Sequence, residues 1–152
     1  MKPFISLLFG LAITLHAASQ KTSRLSSSGA GQYTDAAEPL KIIFQLTTAD
    51  TQAHKALMKQ LGNITSVEPA TKIEVVCHGP GLDMLRKDKS TVADKIQEFT
   101  AKGIVFYACE FSMKERNVSA EQILPSAEFV KAGIVHIVRK QREGWSYIKS
   151  GF

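Results

Sequence analysis

The chain predicts an α/β fold in which a parallel sheet is covered by helices on both faces. Three observations carry that expectation. Short β-rich runs alternate with segments of helical periodicity, glycines stand where helix should give way to strand, and one apolar run, Phe106-Tyr107-Ala108, ends abruptly in Cys109 before a polar helical pattern.

The first element is the β-rich run Lys41-Ile42-Ile43-Phe44-Gln45-Leu46. Thr47-Thr48-Ala49-Asp50 can then cap a helix whose apolar face is Ala53, Ala56, Leu57, Leu61 and Ile64, at spacings of three and four. Lys72 to Cys77 reads as a second strand, broken by His78-Gly79-Pro80-Gly81, with a short helical turn over Leu82 to Arg86. Val92 to Lys102 reads as a full helix with Val92, Ile96 and Phe99 inward. Gly103 stands where a left-handed cap is wanted, and Ile104 to Ala108 is the third strand. Cys109 to Asn117 is expected to be helical, with Asn117 as its C-terminal cap, and Ser119 to Gln122 a further turn stopped by Pro125. Glu128-Phe129-Val130 is a short fourth strand. Gly133 to Arg142 forms a helix with Ile134, Ile137 and Val138 on its apolar side, Gly144 supplies a turn, and Trp145 to Lys149 is the last strand.

Ahead of this pattern lies a different kind of sequence. Lys2 and an apolar run from Phe4 to Leu15, followed by the small residues Ala17-Ala18-Ser19, read as a signal peptide over residues 1–19. An apolar run of about 12 residues is too short to span a bilayer as a helix. The serine- and glycine-rich residues 20–39 read as a flexible linker, leaving residues 40–152 as one domain. The mature protein is therefore expected outside the cytoplasm, periplasmic or secreted, without stable membrane insertion once the signal is removed. The formal net charge of +5 is spread among acidic residues, and the one basic cluster, Arg86-Lys87-Asp88-Lys89, lacks interleaved aromatics. A nucleic-acid partner is not expected.

The chemistry-bearing residues gather at strand ends. In a parallel sheet Cys77 and Cys109 both fall at the carboxyl edge, where open α/β sheets place their sites. Adjacent strands run ~4.8 Å apart, within the ~4.4–6.8 Å Cα separation of a disulfide. The two sulfurs could meet, or a one-residue offset could turn them to opposite faces. A helix opening just after Cys109 would favour its thiolate, while Glu110 opposes it. His78 is a candidate base or orienting group, and the rigid loop Gly79-Pro80-Gly81 can present N–H groups to an anion. Cys109-Glu110-Phe111-Ser112 also matches a Cys-x-x-Ser pattern, adding Glu110 and Ser112 as candidate ligand contacts. His54 and His136 lack ligand-like spacing, so no metal is expected, and no phosphate loop or dinucleotide fingerprint points to a cofactor.

These stretches together resemble the DsrE/DsrF-like family, which includes small sulfur-relay subunits of the TusD type. The matching segments are Ile73 to Val76 leading into His78-Gly79-Pro80-Gly81-Leu82, then Phe106 to Glu110 with Ser112-Met113-Lys114, Ile123-Leu124-Pro125, Ala132 to Val135, and Glu143 to Lys149. The resemblance implies a three-layer α/β/α sandwich on a five-stranded, mainly parallel sheet, and assembly as a homo-oligomer, a trimer or hexamer. It also implies that Cys109 receives sulfane sulfur as a persulfide from a donor and passes it to an acceptor thiol protein. Cys77 would then be a second relay or resolving thiol. The competing reading is a small-anion-binding or thiol redox module with Cys77 and Cys109 structural or joined as a disulfide.

Overall fold

The computed structural model of the protein describes residues 38–151. The signal peptide expected over 1–19 and nearly all of the expected linker lie outside them. Five strands, β1 (Lys41–Leu46), β2 (Lys72–Cys77), β3 (Val105–Cys109), β4 (Glu128–Val130) and β5 (Ser146–Ser150), form one sheet in the order β4-β3-β2-β1-β5. Every pairing is parallel. Four α-helices connect them: α1 (Thr51–Val67), α2 (Ala93–Ala101), α3 (Glu110–Glu115) and α4 (Gly133–Arg142). A 3₁₀ helix at Gly79–Leu85 precedes α2, so the expected turn over Leu82 to Arg86 begins three residues earlier, inside the His-Gly-Pro-Gly loop.

The strand order explains the layers. The chain steps from β1 to β4 in one direction and then returns past β1 to β5, and right-handed crossovers put opposite steps on opposite faces. On one face Phe44, Leu46, Val75, Cys77, Phe106 and Ala108 pack against Leu57, Met58 and Leu61 of α1, Ile96 and Phe99 of α2, and Met113 of α3. Among the described residues the other face carries only α4, with a small buried apolar cluster of Ile43, Val76 and Ile137.

Two strands begin one residue later than the sequence suggests, and helix capping is the cause. Gly103 and Gly144 have φ of 90° and 83°, so the chain turns left-handed after α2 and α4. The next N–H in each case is then spent on the preceding helix, Ile104 on Phe99 O at 3.0 Å and Trp145 on Lys140 O at 3.0 Å. Neither residue is free to join the ladder until the cap is closed. Asn117, at φ 53°, ends α3 in the same way, as expected of it.

The inward faces of two helices also differ from expectation. In α1 the buried positions are His54, Leu57, Met58 and Leu61, while Ala56 is exposed. In α4 only Gly133 and Ile137 are buried, and Ile134 and Val138 are 53 % and 49 % exposed. The reason lies in β2. Glu74 is 6 % exposed in the middle of the sheet, and its two carboxylate oxygens accept from His136 Nε2 and Lys140 Nζ, each at 2.7 Å. Those residues share one helix face with Gly133 and Ile137, so pairing with Glu74 turns Ile134 and Val138 outward. The Lys140 ammonium lies 4.6 Å from the Trp145 ring centre, and the His136 ring packs at 4.6 Å on Tyr107.

Removing one partner of such a cluster leaves uncompensated charge beneath a helix. Glu74→Gln is expected to lower the unfolding free energy by about 3 kcal/mol in urea denaturation. The exposed Glu98, which pairs with Lys95 and Lys102 at the surface, is expected to tolerate the same change with little effect.

Candidate functional site at the carboxyl edge

Alternation along the strands sorts the candidate residues. Ile43, Val76 and Tyr107 pack on the α4 face, so two residues further on Gln45, His78 and Cys109 form a row on that face along the carboxyl ends of β1, β2 and β3. Cys77 pairs in register with Leu46 and Ala108 and belongs to the opposite core. The sheet therefore separates the two cysteines, and both are free thiols. A disulfide or a resolving partnership between them does not fit this arrangement, because neighbouring strand ends are offset by one residue.

The helix that acts on Cys109 is not the one sequence suggests. Cys109 is the last residue of β3 and stands at the start of α3, but its side chain makes no cap bond to that six-residue helix. Instead the Gly133 N–H, at the start of α4, donates to Cys109 Sγ at 3.3 Å. Gly133 has no room for a side chain. A β-carbon there would lie 2.9 Å from Val76 Cγ1 and 3.5 Å from the β-carbons of both Cys109 and His78. Glycine thus lets the N-terminus of α4 settle between the thiol and the histidine, with its amide dipoles aimed at the sulfur. Cys109 is 4 % exposed.

His78 is half-buried, and burial pushes its pKa below the ordinary imidazole range, favouring the neutral ring. Its Nε2 lies 2.7 Å from Gln45 Nε2, and the Tyr147 hydroxyl on β5 donates to Gln45 Oε1. Gln45 and Tyr147 were not visible as site residues in the sequence. The loop after His78 is committed to the protein itself. The His78 N–H donates to Leu46 O at 3.1 Å, Gly79 N–H to Ser112 Oγ at 2.8 Å, and Gly81 N–H to His78 O at 3.1 Å. Pro80 has no N–H to give. Gly81 is packed against β1, where a β-carbon would lie 2.2 Å from Leu46 O. These contacts make the loop a brace for His78 rather than an array of donors for an anion, and Ser112, 5 % exposed, is part of that brace. Glu110 is exposed in the first turn of α3. Arg116 turns away from the thiol to Asp83, at 2.8 Å.

Beside the start of α4 lies a hollow of about 300 Å³ walled by Phe111, Val130, Val135 and His136, with Lys131 and Arg139 adding positive charge. A larger groove of about 1200 Å³ runs between α1 and α2, and no residue of the thiol row lines it. Tyr107, beneath α4, has its phenol pushed up to about 12, chiefly by burial and then by Glu74 and Glu128. Among the described residues no three His, Cys, Asp or Glu side chains converge as a metal site requires, and no helix is long and apolar enough to cross a membrane.

Cys77 gives a test of this placement. Burial pushes its pKa well above the ordinary 9.0, so the folded chain keeps a proton that the unfolded chain releases at alkaline pH. Deprotonation then favours the unfolded state. Stability is expected to fall above about pH 9 by up to about 1.4 kcal/mol per pH unit more in wild type than in Cys77→Ala, measured by urea denaturation across that range.

Comparison with known proteins agrees with the fold. A protein of unknown function, MTH1491 from Methanobacterium thermoautotrophicum, superposes with a TM-score of 0.69 at 29 % identity, covering 72 % of this chain and 98 % of that one. Another of unknown function, BT1422 from Bacteroides thetaiotaomicron, superposes with a TM-score of 0.58 at 19 % identity over 72 % and 93 % of the two chains, a likeness of fold alone. No curated protein matches the sequence. The sequence model of the DsrE/DsrF-like family matches residues 26–150. By this match, over most of its length and with the five-stranded parallel sheet of its structural neighbours, the chain belongs to the DsrE/DsrF-like family, a family generally linked to sulfur relay.

Proposed function

We propose that this protein is a sulfur carrier of the sulfurtransferase type, working outside the cytoplasm, with Cys109 as the one sulfur-bearing residue. The observation that carries the reading is the Gly133 N–H aimed at Cys109 Sγ from the start of a ten-residue helix. Such an amide stabilises negative charge on the thiol and equally on a persulfide. The Cys109 thiolate attacks the outer sulfur of a sulfane donor RS–SH, forming one S–S bond and breaking another. RS⁻ departs and is protonated to RSH. With thiosulfate the leaving group is sulfite. An acceptor thiolate then attacks the outer sulfur, and Cys109 leaves as thiolate, so the cycle consumes no oxidant or reductant. The small exposure of Cys109 favours small donors such as thiosulfate or polysulfide, and Lys131 and Arg139, lining the hollow near the start of α4, would attract their negative charge.

Mass spectrometry tests the assignment. After treatment with polysulfide or thiosulfate, reduced wild type and Cys77→Ser are expected to carry added sulfur on Cys109, and Cys109→Ser none. Absence of added sulfur on folded, reduced wild type sinks the reading.

The carrier also works as a homo-oligomer in this reading, a trimer or hexamer. Ile134, Val135 and Val138 of α4 are about half exposed, and Phe111 of α3 is 53 % exposed. Isolated apolar side chains at a surface are ordinary, but a run of them along one helix beside a site marks a contact surface. Ile134→Glu combined with Val138→Glu is expected to reduce the mass measured by light scattering from multimer to monomer while the circular dichroism stays unchanged.

A further inference from the structure

A chain of side chains crosses three strands to reach the site: Tyr147 on β5, Gln45 on β1 and His78 after β2. Its polarity follows from the way the Gln45 amide is turned. The Tyr147 hydroxyl donates to Gln45 Oε1, which leaves the amide nitrogen facing His78 Nε2. An amide nitrogen has hydrogens and no usable lone pair, so it can only donate, and Nε2 must accept. In a neutral imidazole the proton then sits on Nδ1. That nitrogen has no protein partner among the described residues, and the ring is only half-buried.

We propose that Gln45 and Tyr147 are positioning residues that lock the His78 tautomer, so that His78 meets the substrate beside Cys109 with an Nδ1–H donor and not with a basic lone pair. The histidine does not remove the thiol proton. It hydrogen-bonds the anionic oxygen or sulfur of the incoming donor, on the other side of Gly133 from the thiol. The inference rests on the sulfur-carrier reading for its substrate, a small sulfane anion, but the tautomer itself stands apart from that reading.

Long-range ¹H–¹⁵N correlation spectra of histidine-labelled full-length protein test it, with the His78 signals assigned by their loss in His78→Gln. Wild type is expected to show a protonated Nδ1 and an unprotonated Nε2. Gln45→Glu puts a pure acceptor opposite Nε2 and is expected to move the proton there, with sulfur loading of Cys109 from thiosulfate slowed roughly tenfold, the cost of losing one hydrogen bond to a charged group. Tyr147→Phe, at a 39 % exposed position, frees the amide to turn over and is expected to give both tautomers in a fully folded protein. A wild-type His78 protonated at Nε2, or an unchanged Nδ1–H signal in both variants, overturns the relay. Inversion of the tautomer with unchanged loading overturns the donor role. Should wild type take up no sulfur at all while His78 still holds its proton on Nδ1 and loses it to Nε2 in Gln45→Glu, the carrier reading falls and the tautomer lock is upheld.

Discussion

The arrangement at the carboxyl edge depends on one buried carboxylate. Among the described residues helix α4 alone covers its face of the sheet, and the apolar cluster beneath it is small. Glu74, in the strand at the centre of the sheet, has its charge met by Lys140 and its second oxygen hydrogen-bonded by His136 only when this face of α4 lies over it. Several kcal/mol separate a paired buried charge from an unpaired one, more than the burial of an isoleucine side chain returns. Helix rotation is therefore set by electrostatics, and hydrophobicity accommodates. Once Lys140 and His136 face inward, Gly133, on the same side of the helix, comes down onto Cys109.

That ordering explains what the sequence made legible. All five strands, the long helices and the left-handed caps at Gly103, Asn117 and Gly144 could be read locally, because turn chemistry and periodicity act over a few residues. The face of α4 could not. Its apolar pattern pointed to Ile134 and Val138, and the deciding partner stands some sixty residues away in β2. The signal was present as a lone acid within Ile73-Glu74-Val75-Val76, since a carboxylate in a strand buried on both faces requires a cation from another element. Gln45 was a similar signal, a polar residue following the apolar run Ile42-Ile43-Phe44 of an interior strand.

The site shows the same division. The positions of Cys109 and His78 at strand ends could be read from the sequence, whereas the residue that stands between them, Gly133, read only as the opening of a helix. The loop glycines were assigned donor work that the structure gives to other partners: Gly79 is tied to Ser112, and Gly81 fills a contact too close for any side chain. Close backbone approach and open donor arrays use the same residue type, and only the neighbouring chain tells them apart.

The thickness of the sheet between Cys77 and Cys109 has a kinetic meaning. Two thiols within reach of each other behave as if each were present at a very high local concentration, and an activated sulfur on one is discharged by the other long before any partner arrives. Here that unimolecular exit is closed. Sulfur held on Cys109 in the proposed cycle can leave only in a second-order encounter, so its lifetime is set by the supply of acceptor and by how well that acceptor fits the rim of α4. In that proposed cycle the protein is a reservoir whose outflow is governed by its client.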